Sequence, residues 1–82
     1  MNNMEKLRIY LRKEMEDVIK IMLERAEFYT ISKEKSREEL LIDLLDIDMD
    51  SELVSSFDVE DYANHNYDLG RYYTLNEILK KL

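Results

Sequence analysis

The sequence has no cysteine, no proline and no tryptophan, and only one glycine among its 82 residues. Without cysteine the chain forms no disulfide and offers no thiolate to a metal, which fits a reducing cytosol. Proline and glycine are the residues that most often interrupt helices, so their scarcity favours a chain that is helical throughout. A chain of this length makes one small domain with a thin core.

The sequence also lacks a long apolar run. No segment approaches the roughly 20 apolar residues of a membrane span. The opening residues, MNNMEKLRIYLRKEM, carry charges throughout and have no apolar core of the kind that a signal peptide needs. We therefore expect a soluble, cytoplasmic protein without a membrane partner, located in the host-cell cytoplasm if a phage encodes it.

Positive charge is missing from one long stretch. The net charge is −7, but residues 1–37 hold nine Lys/Arg and seven Asp/Glu, whereas residues 38–82 hold three and twelve. Residues 38–70 contain eleven acids and no Lys or Arg. A solvated helix normally mixes both signs to gain pairs four residues apart. The domain therefore divides into a near-neutral part, 1–37, and a strongly acidic helical part, 38–82.

Apolar residues at steps of three and four predict a first helix from about Met4 to Tyr29, capped by Asn2 or Asn3. The stripe comprises Met4, Leu7, Leu11, Met15, Val18, Met22, Ala26 and Tyr29. A helix of roughly 26 residues is about 39 Å long, which is more than a short remainder easily covers. Two coverings are open: a second copy, giving a homodimer through this helix, or the C-terminal helices folded back over it.

The rest of the chain shows signals for four shorter helices. Ser36 and Glu39 match a capping box and predict a second helix over residues 37–47. Asp50 and Asp58 look like the caps of helices over 51–56 and 59–67.

Gly70 suits the left-handed residue that ends a helix. Thr74 and Glu77 then predict the start of a closing helix, which ends near Leu82. The predicted fold is all-α, with one long N-terminal amphipathic helix packed against four shorter helices.

The acids do not match a metal loop. Asp46, Asp48 and Asp50 have the spacing of the first ligands of an EF-hand, but Ser51 and Phe57 stand where that loop needs glycine and glutamate. We predict no metal site and no cofactor.

Catalytic motifs are also missing. The chain has no glycine-rich phosphate loop and no zinc-binding spacing. Its one histidine, His65, falls off the apolar stripe of Val59, Tyr62 and Ala63, so we expect it to be exposed. We therefore expect that the protein is not an enzyme.

The charge pattern argues against direct binding to nucleic acid, because phosphates require a surplus of cations. It favours a basic protein partner, such as one that itself holds DNA or RNA. Acids three or four residues apart on a helix recur every 5–6 Å or so, a scale similar to the spacing of about 3.4 Å per nucleotide along a strand. Glu39, Asp43, Asp46 and Asp50 make such a row if the second helix extends to Asp50.

Tyrosines accompany these acids, and tyrosine is enriched in protein interfaces. The predicted partner-binding residues are Glu39, Asp43, Asp46, Asp48, Asp50, Glu52, Asp58, Glu60, Asp61, Tyr62, Tyr67, Tyr72 and Tyr73. Two plainer explanations stay open for the acids, which are solubility and helix capping.

Residues 50–74, DSELVSSFDVEDYANHNYDLGRYYT, resemble the closing segment of the ArdA-type antirestriction family. The matching positions are Phe57, Asp58, Glu60, Tyr62, Ala63, Asp68, Leu69, Gly70 and Tyr72 or Tyr73. The sequence departs from the family at NHN, where a basic–acid pair is usual, and after Thr74, where the family continues into a strand. The resemblance implies an acidic DNA mimic that inhibits a restriction enzyme. By analogy of strategy alone, the chain is also similar to small phage anti-CRISPR proteins.

Two functions are therefore predicted. The first is a small acidic inhibitor that binds a CRISPR nuclease or restriction enzyme by imitating the charge of nucleic acid. The alternative is a helical interaction module, antitoxin-like or an adaptor, that uses the apolar stripe of the first helix through Leu11, Val18 and Met22.

Overall fold

Four helices account for most of the chain in the computed structural model, which describes residues 2–30 and 35–82. They are α1 (Asn3–Tyr29), α2 (Arg37–Leu44), α3 (Glu52–Ser55) and α4 (Val59–Lys81). No strand occurs within these residues, and the prediction of an all-α fold with a long N-terminal helix is confirmed. Residues 31–34, which belong to the near-neutral part, lie outside the described residues.

Side-chain caps start all four helices, as short polar residues do where backbone N–H groups lack helical partners. The Asn2 side chain accepts a hydrogen bond from the backbone N–H of Glu5 at 2.8 Å. Ser36 and Asp58 cap α2 and α4 as predicted. The predicted cap Asp50 is wrong by one position, because Ser51 has the extended backbone that precedes α3, and its hydroxyl accepts from Val54.

The prediction of four shorter helices is not confirmed, because the segments predicted as 59–67 and as the closing helix form the single helix α4. Gly70 lies inside this helix and has no positive φ, so its predicted role as a left-handed terminator is wrong. Glycine costs a helix about 1 kcal/mol relative to alanine. Side chains on both sides of it, including Leu69 and Tyr72, pack into the core and offset that cost.

The segment after α2 forms a turn where a longer helix was predicted. An Asp46 carboxylate oxygen accepts from the N–H of Asp48, and the N–H of Met49 donates to the Asp46 carbonyl, each at 3.1 Å. Met49 takes a left-handed conformation with φ 56°. Because α2 ends at Leu44, the predicted helical row of acids from Glu39 to Asp50 does not form.

The helices α1 and α4 form an antiparallel hairpin. Near one end the Arg8 guanidinium donates to the carbonyl of Leu82, and at the other the Tyr29 hydroxyl donates to Asp61. The helices α2 and α3 pack against one side of this hairpin, at the half that contains the end of α1. The buried core there comprises Val18, Met22, Leu23, Ala26, Leu40, Leu44, Val54, Phe57 and Leu69.

Most of the predicted apolar stripe of α1 lies against the chain's own later helices, but its first two residues, Met4 and Leu7, are exposed. Leu11, Val18 and Met22 are buried. In this fold these three side chains are not accessible to a partner. None of the helices in residues 2–30 and 35–82 has the length and apolarity needed to span a bilayer.

Candidate functional site

The eleven acids of residues 38–70 separate into two groups in the structure. Five of them accept bonds within the fold: Asp43 from Lys35 (2.6 Å), Asp46 from the backbone of Asp48, Asp58 from the backbone of Asp61, Asp61 from Tyr29 and Asp68 from Arg25 (2.8 Å). The other six are exposed and have no side-chain bond within the described part of the chain: Glu38, Glu39, Asp48, Asp50, Glu52 and Glu60. Capping and internal pairing thus account for fewer than half of the acids.

Five of the six unbonded acids lie on α2, on α3 and in the turn between them, and we call them the acidic surface: Glu38, Glu39, Asp48, Asp50 and Glu52. Lys35 is paired with Asp43 of α2 at 2.6 Å. The hydrogen bond to Asp43 raises the pKa of Lys35 most, and the charges of Glu39 and Glu52 add to it. Glu39 lies in the first turn of α2 and Glu52 in the first turn of α3, and the two helices contact each other.

Several other predicted partner-binding residues have bonds inside the fold. Asp58 caps α4, and the half-buried Asp61 accepts from the Tyr29 hydroxyl. Tyr72 and Tyr73 are half-buried and meet edge to face, with ring centroids 5.3 Å apart. The hydroxyl of Tyr73 donates to the carbonyl of Leu45. These four residues hold α4 against the rest of the molecule.

The remaining two tyrosines are exposed on different sides of α4. Tyr62 shares a stripe with Leu69 and Tyr73, which face the segment from α2 to α3. Tyr67 lines a hollow between α4 and α1, together with Tyr10 and Arg71. Of these two exposed tyrosines, Tyr62 is therefore the one on the side of α4 that is turned toward the acidic surface.

His65 is fully buried, so the prediction of an exposed histidine is wrong. The predicted apolar stripe of Val59, Tyr62 and Ala63 is exposed, and α4 is rotated so that His65 faces the core. Its ring lies 5.5 Å from that of Phe57. Neither ring nitrogen has a hydrogen-bond partner within the described residues.

The surroundings of His65 lower its pKa. Burial removes water from the charged ring and has the largest effect, and the nearby Arg25 adds repulsion. Asp68 and the backbone of Leu44 act in the opposite direction without cancelling the shift. The imidazole is therefore held in its neutral form at pH 7.

An ion pair lies beside this histidine. Arg25 and Asp68 are 2.8 Å apart, and their side chains are only 12% and 8% exposed. Towards the end of the hairpin, the Tyr29 hydroxyl donates to Asp61 and accepts from the N–H of Asp58 at 3.2 Å. The bond to Asp61 is the main reason that the pKa of Tyr29 is raised.

The polar residues Asp61, His65 and Asp68 lie along the contact between α4 and α1, which we call the seam. The sequence analysis did not predict their role, although a signal for it was present. Positions 61, 65, 68, 72, 75, 79 and 82 follow steps of four and three, as does the contact stripe of any helix. The first three of these residues are polar, so a search for apolar periodicity passes over them. A shallow cleft of about 300 Å³ lies at the end of the seam, lined by Arg25, Phe28, Tyr29 and Asp61.

The described residues hold no group of three or more His, Asp or Glu side chains arranged to bind a metal ion. The acids of the turn after α2 instead serve backbone groups or point to solvent.

No protein-family model, curated protein or solved structure matches this chain. Its function is therefore argued from its own residues.

Proposed function

We propose that this protein is a small acidic inhibitor that binds a basic nucleic-acid-handling protein, such as a CRISPR nuclease or a restriction enzyme, and occupies its nucleic-acid channel. The observation that carries the proposal is the acidic surface of α2 and α3. Its five carboxylates are exposed and have no side-chain bond within the described residues. In this arrangement they are available to the lysines and arginines of a partner.

The electrostatics of the surface favour such a partner. Nucleic-acid channels are lined by cations that contact phosphates. Exposed carboxylates on α2, on α3 and in the turn between them compete for the same cations, and the field of a molecule with net charge −7 speeds the encounter. The resemblance of residues 50–74 to the ArdA-type family points to the same class of function. Tyr62 is the tyrosine best placed to add an aromatic contact, since it lies on the adjoining stripe of α4.

Binding without catalysis is part of the proposal. The one histidine of the chain is buried with its pKa lowered, so its ring cannot contact a substrate in this fold. The cleft beside Phe28 is shallow and is lined by Tyr29 and Asp61, which bond to each other.

The experiment is a pull-down from bacterial lysate with the purified protein as bait, eluted by rising salt and, in parallel, by added DNA or RNA. We expect a nucleic-acid-binding protein that is released by salt and displaced by nucleic acid. The recovered protein is then assayed for DNA binding or cleavage with and without the inhibitor.

A matched pair of triple variants decides whether the acidic surface carries the binding. The test variant is Glu39→Gln, Asp48→Asn and Glu52→Gln. The control, Glu5→Gln, Glu16→Gln and Glu27→Gln, removes the same charge from exposed positions of α1. We expect the test variant to lose inhibition and the control to retain it. Equal loss in both would show that only net charge matters, and a partner that ignores salt and nucleic acid would refute the proposal.

A further inference from the structure

One face of the α1–α4 hairpin is covered and the other is not. On the covered side, Leu23 and Leu69 belong to the core that α2 and α3 complete. On the opposite side, which we call the open face, α1 exposes Leu7, Tyr10, Ile21 and Phe28. These four residues are spaced by 3, 11 and 7 positions, which places them on one stripe of the helix.

The helix α4 contributes a matching stripe to the open face. Tyr67 and Ile78 are exposed, and Arg71 lies between them at helical spacing. Arg71 pairs with Glu14 of the α1 stripe at 3.0 Å, which shows that the two stripes run side by side. Tyr10, Glu14, Tyr67 and Arg71 line a hollow of about 540 Å³ between them. Half of the exposed large apolar side chains of the described residues thus gather on one face.

The charges beside the open face differ between its two ends. Lys6 and Lys81 lie at the end where Arg8 meets Leu82, and Glu24 and Glu60 lie toward the end where Tyr29 meets Asp61. All four are exposed and have no ion pair within the described residues. The face is therefore basic at one end and acidic at the other. Between the ends lie apolar side chains, the Glu14–Arg71 ion pair and the exposed Asp17, which shares the helical spacing of Tyr10 and Ile21.

We infer that the open face is the interface of a symmetric homodimer in which two hairpins pack face to face as a four-helix bundle. A twofold axis that crosses the middle of the face makes the helices of the two copies antiparallel. It places Lys6 and Lys81 of each copy beside Glu24 and Glu60 of the other, so the charges are complementary at both ends. The same operation brings Tyr10 of one copy near Ile21 of the second copy.

The size of the face suits a dimer. The 23 residues of α4 are about 35 Å long, and two helices side by side are about 20 Å wide. The face of roughly 700 Å² is close to the area of about 800 Å² that each partner buries in a standard interface. The acidic surface belongs to α2 and α3 on the other side of each hairpin, so the dimer keeps the two acidic surfaces apart. This inference is independent of the proposed inhibitor function.

A charge-swap experiment tests whether a second copy covers the open face and in which orientation it binds. Variant A carries Lys6→Glu and Lys81→Glu, and variant B carries Glu24→Lys and Glu60→Lys. The dimer predicts that sedimentation velocity of the unmodified protein gives twice the monomer mass of 10.0 kDa. Each variant alone should be monomeric, because both ends of its face carry the same sign. An equimolar mixture of A and B should restore the dimer, less so at high salt.

A second pair of variants tests the apolar part of the face. Phe28→Ser should raise the dimer dissociation constant at least tenfold, since Phe28 is 83% exposed in the monomer and covered in the dimer. Val59→Ser is the control, because Val59 is 89% exposed but lies off the open face. Circular dichroism confirms that the variants fold. A monomeric unmodified protein, dimers of A or B alone, a monomeric mixture, or equal effects of the two serines would each overturn the inference.

Discussion

The two halves of the seam between α4 and α1 differ in the residues that they bury. Apolar side chains are usually buried more deeply than polar ones, and here the order is reversed. The half nearer the start of α4 presents Asp61, His65 and Asp68, and the other half presents Leu75, Leu79 and Leu82. His65 and Asp68 are 0% and 6% exposed, whereas the three leucines are only half-buried. The polar side chains are thus more deeply buried than the apolar ones.

The difference arises from what surrounds each half. The helices α2 and α3 complete a core around the polar half, while the leucine half belongs to a hairpin only two helices thick. Burial is set by the number of elements packed around a position as well as by the residue type. A charged group placed in the thicker half needs a partner, because a buried unpaired charge costs far more than an exposed one. The comparison can be tested by removing such partners.

The largest effect is expected from Arg25→Leu. This change leaves the Asp68 carboxylate buried without its partner, which typically costs about 3–5 kcal/mol of folding free energy. Arg71→Leu is the control: it removes an ion pair of similar length, 3.0 Å, whose side chains are about a third exposed, and should cost less than about 1 kcal/mol. Urea unfolding followed by circular dichroism measures both. Adding Asp68→Leu to Arg25→Leu should recover most of the loss, and equal costs for the two single variants would contradict the comparison.

A smaller, pH-dependent effect is expected from His65. Its pKa in the folded protein is lowered mainly by burial, so the unfolded chain takes up a proton first as the pH falls. Stability is therefore fully present above the unfolded pKa of about 6.5 and falls below it, by up to about 1.4 kcal/mol per pH unit, until the folded pKa is reached.

Replacing the ring with an apolar side chain isolates this contribution. His65→Leu should flatten the change in unfolding free energy between pH 7 and pH 5 relative to the unmodified protein. The slope that remains in the variant then belongs to groups other than His65. An unchanged slope in the variant would show that the buried ring does not titrate between the folded and unfolded states.

The smallest effect concerns Gly70, which lies where the two halves of the seam meet. A Cβ atom built at this position meets nothing within 4 Å, and the backbone is helical. Gly70→Ala should therefore stabilise the protein by about 1 kcal/mol through helix propensity alone. Ala63→Gly, on the exposed side of the same helix, should destabilise it by a similar amount. Thermal unfolding detects both, and a loss of stability in Gly70→Ala would mean that the glycine has a packing role.

Local signals in the sequence were sufficient to predict much of the fold. The caps Asn2, Ser36 and Asp58 act through bonds only three residues away, and the stripe of α1 depends on a single period. The rotation of α4 could not be predicted in this way. Val59 and Tyr67 look like core residues by type. The buried Asp68 instead pairs with Arg25 of α1, which is 43 residues earlier in the chain, and the buried His65 packs against Phe57, just after α3.

The same limit applies to the candidate site. The excess of acids was visible in composition, but which acids are free depends on partners that are distant in sequence, such as Tyr29 for Asp61 and Arg25 for Asp68. Gly70 was also predicted to be the left-handed residue that ends a helix, but it lies inside α4. The left-handed residue is Met49, whose side chain packs against the core and so favours a conformation that its type disfavours.

The antiparallel hairpin also has a consequence for the time at which the protein folds during synthesis. The helix α1 is made first, but the helix that covers most of its apolar stripe begins only at Val59, thirty residues after α1 ends. Contacts so distant in sequence form late, since the intervening chain must first be closed into a loop. Until α4 is made, the nascent chain therefore exposes an amphipathic helix that α2 and α3 cover only in part, which is the kind of segment that chaperones bind.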